Sequence, residues 1–132
     1  MRAQKSVYSV SQYPLSKLTE KIIGCAIVVH KELGPGFVEK IYQGALAKEF
    51  SKNKVVYEKE KKVVVNYDNK AVGYQIMDFI VDDKVVVELK AVSELSNIHI
   101  GQMVSYLKAI RLEIGLILNF AKSKIEIKRV KL

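Results

Sequence analysis

Between residues 15 and 33, Leu18, Ile22, Ile23, Ala26, Val29 and Leu33 recur at the spacing of a helix with one apolar face. Ser16 is the candidate N-cap, and Gly34-Pro35-Gly36 the stop. A second helix is predicted from about Val38 to Phe50, with Ile41, Ala45, Leu46 and Phe50 turned to the core. The pattern then changes to that of strands. Runs at 54–58, 61–67 and 72–81 are rich in Val, Tyr and Ile, with Asp68-Asn69 as a turn between the last two, and another run at 84–92 follows Asp82-Asp83 directly. Residues 98–111 return to helical spacing, with Ile100, Met103, Val104, Leu107 and Ile110 inward, and strands at about 113–120 and 124–131 close the chain. A helix between strand 84–92 and strand 113–120 is long enough to be a crossover. The expected fold is therefore α/β, a mixed central sheet flanked by helices.

One strand contradicts its own hydrophobicity. Val85, Val86, Val87, Leu89, Ala91 and Val92 make the 84–92 run look buried on both faces, yet Glu88 and Lys90 sit inside it. Residues two apart on a strand share a face, so this carboxylate and this ammonium emerge together. Asp78 repeats the anomaly among Ile76, Met77, Phe79, Ile80 and Val81. Burying an unpaired charge costs several kcal/mol, so each needs a partner, a cleft or a metal ion. Two hairpin registers are open. A two-residue loop at Asp82-Asp83 would set Val81 opposite Lys84 and leave Asp78 and Glu88 on opposite faces. A three-residue loop, Asp82-Asp83-Lys84, would pair Val81 with Val85 and Asp78 with Glu88, the two Cβ atoms about 5 Å apart. Two carboxylates so placed repel unless a cation lies between them, and hard oxygen donors suit Mg²⁺. Lys90 would then stabilise developing negative charge or orient an attacking water. An ordinary Glu88–Lys90 salt bridge, with Asp78 at a bend, fits the same short spacing.

Charge narrows the partners. The chain has 132 residues and a formal net charge of +8, a field that gathers polyanions such as nucleic acid or anionic membrane. The basic residues concentrate at Lys52, Lys54, Lys59, Lys61 and Lys62 and at Lys122, Lys124, Lys128, Arg129 and Lys131, interrupted by Glu58, Glu60 and Glu126. No apolar run approaches the roughly 20 residues of a membrane span, and the N-terminus lacks the apolar run of a signal peptide. The single Cys25 allows neither an internal disulfide nor a cysteine zinc cage and reads as a small buried hydrophobe; a cytoplasmic location is expected. His30 and His99 have no ligand-spaced partners and read as structural or exposed. The tyrosines look scattered rather than grouped for base stacking. Residues 1–14 read as an N-terminal arm and 15–132 as one domain.

The segment GPGFVEKIY, residues 34–42, resembles the signature of the GxxExxY protein family, with Gly36, Glu39 and Tyr42 in the named positions. The similarity continues through IIGCAIVVHKELGPGF, MDFIVDDKVVVELKAV and HIGQMVSYLKA, covering roughly residues 18–130. That family is placed within the PD-(D/E)XK nuclease superfamily, so the resemblance implies a core of helix, antiparallel strands, helix and further strand. It implies a Mg²⁺- or Mn²⁺-dependent nuclease acting on nucleic acid, DNA before RNA. Asp78, Glu88 and the Leu89 backbone carbonyl would be metal ligands, with Glu39 completing the shell, and Lys90 the catalytic lysine of the D…ExK motif. Gln102 and Tyr106 match the QxxxY motif that orients substrate; Glu39, Asp78, Glu88, Lys90 and Gln102 together form the implied catalytic set. The proline or aromatic often found before the metal-binding aspartate is replaced here by Ile76-Met77. The alternative is a non-catalytic nucleic-acid-binding or assembly module that keeps the fold. A double cut needs two active sites, so a homodimer is expected for that task.

Overall fold

The computed structural model describes residues 15–132, and the N-terminal arm read at 1–14 lies outside the described residues. Helix α1, Ser16–Leu33, buries Ile22, Cys25, Ala26 and Val29, the face its spacing predicts. Its N-cap position falls to Leu15, at φ 59°, so Ser16 opens the helix instead of capping it. Helix α2, Glu39–Lys52, packs against α1 and buries Tyr42, Leu46, Ala47 and Phe50. The turn between them needs glycine, since Gly34 and Gly36 lie at φ 69° and 117°. Tyr42 clamps that turn. Its hydroxyl donates to the Gly34 carbonyl at 2.5 Å and accepts from the Phe37 N–H at 3.2 Å, while its ring stacks on Phe120 at 4.5 Å. The start of α2, where Glu39 sits, is thereby fixed to the core.

Strands β1 (Tyr57–Tyr67), β2 (Lys70–Val81), β3 (Val85–Lys90), β4 (Ile114–Asn119) and β5 (Glu126–Lys131) form one sheet in that order. The runs expected separately at 54–58 and 61–67 are one strand, β1. Nothing between them makes a turn, and the irregularity is absorbed at Glu60, held at φ 56°. Asp68 and Asn69 both adopt positive φ and join β1 to β2 in the primed type of turn that suits the twist of a hairpin. Between β2 and β3 the register is Val81↔Val85, which makes Asp82-Asp83-Lys84 a three-residue loop and settles the open question. Helix α3, Asn97–Ile110, carries the chain over to β4, which runs parallel to β3; the other pairings are antiparallel. The sheet is mixed, as expected.

Each sheet face has its own core. Helices α1 and α2 cover Phe79, Val81, Val85, Val87 and Leu89, and α3 covers Met77, Ile80, Val86 and Ile117. Both histidines are structural. His30 is buried with Nε2 2.8 Å from the Lys122 carbonyl, and His99 Nδ1 accepts from the Ser96 N–H at 3.0 Å in the capping box of α3. Among the described residues no helix is long and apolar enough to cross a membrane. Helix α3 lies close to the sheet because Gly115 has no side chain: a Cβ there would overlap the fully packed Met103. The residue beside Met103 is Gln102, so this close approach sets how near α3 comes to β3. Gly115→Ala should destabilise the protein by about 1–3 kcal/mol, read as a lower urea midpoint at unchanged m-value. An unchanged midpoint would mean that α3 is not held by this contact.

Candidate active site

The β2–β3 ladder runs Val81↔Val85, Ile80↔Val86, Phe79↔Val87, and at the next rung side chains replace it. The Asp78 N–H donates to Glu88 Oε2 at 2.7 Å, and the Leu89 N–H donates to Asp78 Oδ2 at 2.8 Å. Each carboxylate thus accepts from the backbone of the opposite strand. The alternation of β2 breaks at the same point, for Phe79 faces the α1–α2 core and Met77 the α3 core. The strands part at Asp78 and Glu88, and their carboxyl groups occupy the fork.

Both helices reach into it. From α2, Gln43 is only 5% exposed and its Nε2 donates to Asp78 Oδ1 at 3.1 Å. One turn earlier, exposed Glu39 lines a cleft of about 150 Å³ together with Lys40, Gln43, Glu60, Ile76 and Asp78. Lys40 pairs with Glu60 across its mouth. From α3, Gln102 Oε1 accepts from Lys90 Nζ at 2.9 Å. Tyr106, one turn on, is buried in the α3 core, and the charges of Glu88 and Asp78 reach it. Burial first, and then those two charges, push its hydroxyl up to about 12, so it stays protonated. The base of Lys90 is fixed as well: its carbonyl accepts from the Phe120 N–H at 2.9 Å, and fully buried Asn119 holds both the N–H and the carbonyl of Val92.

The residues expected to form a site therefore come together, with Glu39 on the cleft wall and Tyr106 beneath. Gln43 and Asn119 were not anticipated. Gln43 had a signal, since it lies four residues after Glu39 and shares its helix face. Asn119 had none, because an asparagine at a strand end is ordinary.

The charge arrangement is unstable as it stands. Glu88 is 6% exposed, and burial, followed by the Asp78 charge, raises its carboxyl to about 8. Asp78 is raised too, mainly by burial, against the pull of the Leu89 N–H. For Glu88, its one hydrogen bond from the Asp78 N–H is worth about 1.5–3 kcal/mol, less than several kcal/mol of desolvation. A proton or a cation must supply the rest. The described residues include no group of three or more Asp, Glu, His or Cys placed to hold a metal. Two carboxylates with a neighbouring carbonyl still fit Mg²⁺, which usually keeps several waters and takes one or two carboxylates plus phosphate.

The shift fixes a pH dependence. The unfolded chain loses the Glu88 proton near 4.5 and the folded chain near 8, so the fold binds more protons in between. The stability this contributes is complete below the lower value and is lost as pH rises through the upper one. From about pH 5 to about pH 9, the metal-free protein should lose melting temperature relative to Glu88→Gln. Parallel melting curves for the two proteins would contradict the shift.

Comparison with known proteins supplies the context. The sequence model of the PD-(D/E)XK nuclease superfamily matches residues 16–130. A crystal structure of SSO0001 superposes with a TM-score of 0.59 at 19% identity, over 70% of this chain and 48% of that one. This chain spans about half the length of that protein, and the likeness is one of fold. No curated protein shows significant similarity to the chain. With the superfamily model matching nearly the whole chain, over the same strands and helices that build the fork, the chain belongs to the PD-(D/E)XK nuclease superfamily.

Proposed function

We propose that the protein is a metal-dependent nuclease that hydrolyses phosphodiester bonds, in DNA before RNA. The observation that carries this reading is the fork itself: two carboxylates exchanging bonds with each other's strand, beside a lysine held by a glutamine. Asp78, Glu88 and the Leu89 carbonyl would hold Mg²⁺ or Mn²⁺, which when bound acidifies a water and neutralises phosphate charge. Glu39 stands on the cleft wall, outside the metal-holding pair, where it would bind one of the ion's waters, in keeping with the GxxExxY pattern in which Gly36 and Tyr42 set the turn that aims it. Gln43 holds Asp78 Oδ1 and so keeps the carboxylate from turning away.

Lys90 would be the catalytic cation, two residues from Glu88 on the same strand. Its Nζ is tethered to Gln102 and stays at the α3 side of the fork, where it orients the water or stabilises charge on the phosphoryl oxygens. Gln102 and Tyr106 lie on one face of α3, so Tyr106 packs under the site and sets the height of Gln102. The lysines around the cleft supply contacts to phosphates that carry no sequence information. Two copies are needed for a double cut, which makes a homodimer the form expected on duplex substrate.

End-labelled single-stranded, duplex and branched DNA and RNA, incubated with Mg²⁺, Mn²⁺ or EDTA, test this directly. Cleavage should require metal and vanish in Asp78→Asn and Glu88→Gln. Lys90→Ala should lower the rate by about 10²-fold or more, the scale of losing one preorganised charge-stabilising group. Binding without cleavage on every substrate would instead favour the non-catalytic module. A separate check needs no substrate: at about 100 times its Kd, Mg²⁺ should stabilise the wild type by roughly 2.7 kcal/mol, and Asp78→Asn should lose the effect.

A further inference from the structure

The β1–β2 hairpin outruns the sheet. Strand β3 pairs with β2 only at Phe79, Ile80 and Val81, whereas β1 and β2 pair on to Tyr67↔Lys70. Residues 61–77 thus form a two-stranded arm that departs at the carboxylate fork. One of its faces is anchored, with Val63 and Met77 buried in the α3 core. On the opposite face the cross-strand pairs Lys62↔Ile76 and Val64↔Tyr74 stand open, with Val64 49%, Tyr74 56% and Ile76 53% exposed. Ile76 is also a wall of the cleft beside Asp78. The open face therefore begins at the carboxylates and runs outward, and four residues of strand place Tyr74 about 13 Å from Asp78.

The chemistry of this face selects its partner. On the open face Lys62 stands beside Tyr74, while Glu60, two residues before it at the cleft, is already paired with Lys40. The Lys62 ammonium lies over the Tyr74 ring, 4.3 Å from its centroid, so the π-face a base would take is held by a cation on a long side chain that can swing aside. Aromatic rings that take bases, interleaved with cations that take phosphates, are how proteins hold unpaired strands. A second copy adding to the edge of β1 would meet Lys59 and Lys61, the kind of residues that blunt an edge strand. We propose that the open face of the arm is a track for a single-stranded segment of nucleic acid leading into the cleft, one base stacking on Tyr74 while Lys62 turns to its phosphate. This rests on the nuclease reading for its direction and on the arm alone for its binding.

Binding is therefore measured in EDTA, by fluorescence anisotropy of labelled oligothymidine and oligouridine of about 20 nucleotides and of a duplex of equal length. Tyr74→Ala should weaken single-strand binding by about 5- to 100-fold, and Tyr74→Phe should restore it, because the ring and not the hydroxyl stacks. Lys62→Ala should reduce the salt slope by about 0.7, and Lys31→Ala, on α1, should leave the affinity for the arm's strand unchanged. The oligothymidine and oligouridine arms say whether a DNA or an RNA strand is preferred. Unchanged affinity in Tyr74→Ala, or no binding by the wild type, overturns the proposal. So does a dimer that Tyr74→Ala dissociates while strand binding is unaffected, which assigns the face to a second copy. Tyr74-dependent binding with no cleavage of any substrate sinks the nuclease reading and leaves the track standing; cleavage with no dependence on Tyr74 does the reverse.

Discussion

Everything that makes this fold more than a sheet with helices follows from the exchange between Asp78 and Glu88. Where a fourth rung of the β2–β3 ladder would be, each carboxylate takes a backbone N–H from the opposite strand. The exchange satisfies donors that the parting strands would otherwise strand in the interior, and it forces two acids to face one another. Stability and reactivity are opposed here. The same burial that fixes the geometry raises Glu88 to about 8, and only a proton or a cation relieves it.

The rest of the molecule holds that fork at the right opening. Helix α2 is set by the Gly34-Pro35-Gly36 turn under Tyr42, and it presents exposed Glu39 and buried Gln43 to the same cleft. Helix α3 is let down onto β4 by Gly115, which brings Gln102 to Lys90. Asn119 and Phe120 tie the strand end after Lys90 to β4. Each contact is local and modest in energy. Together they fix an acid pair, a lysine and two glutamines from four separate elements.

Much of this was legible in the sequence, because periodicity reports burial directly. The helices and the mixed sheet follow from spacing, and the charges in apolar runs at Asp78, Glu88 and Lys90 mark the fork. What spacing alone could not choose was the Asp82-Asp83-Lys84 register, since two- and three-residue hairpins both suit that sequence and differ in whether the acids share a face. The strand break expected before Lys61 failed for another reason: Glu60 takes a positive φ within a continuous strand, and nothing about a glutamate announces it. Ser16 missed its cap because Leu15 entered the helix in a left-handed conformation. Tyr74 looked scattered in the sequence until the hairpin put it across from Val64 and beneath Lys62.

The claim that the fork is a divalent-cation site is tested most directly by anomalous diffraction from crystals soaked in Mn²⁺. A single anomalous peak within bonding distance of the Asp78 and Glu88 carboxylates and the Leu89 carbonyl, absent in Glu88→Gln crystals soaked in the same way, is the predicted result. A map with no peak at the fork, or with its peak unchanged in Glu88→Gln, would contradict the account and leave the carboxyl pair as a proton-bridged joint in the sheet.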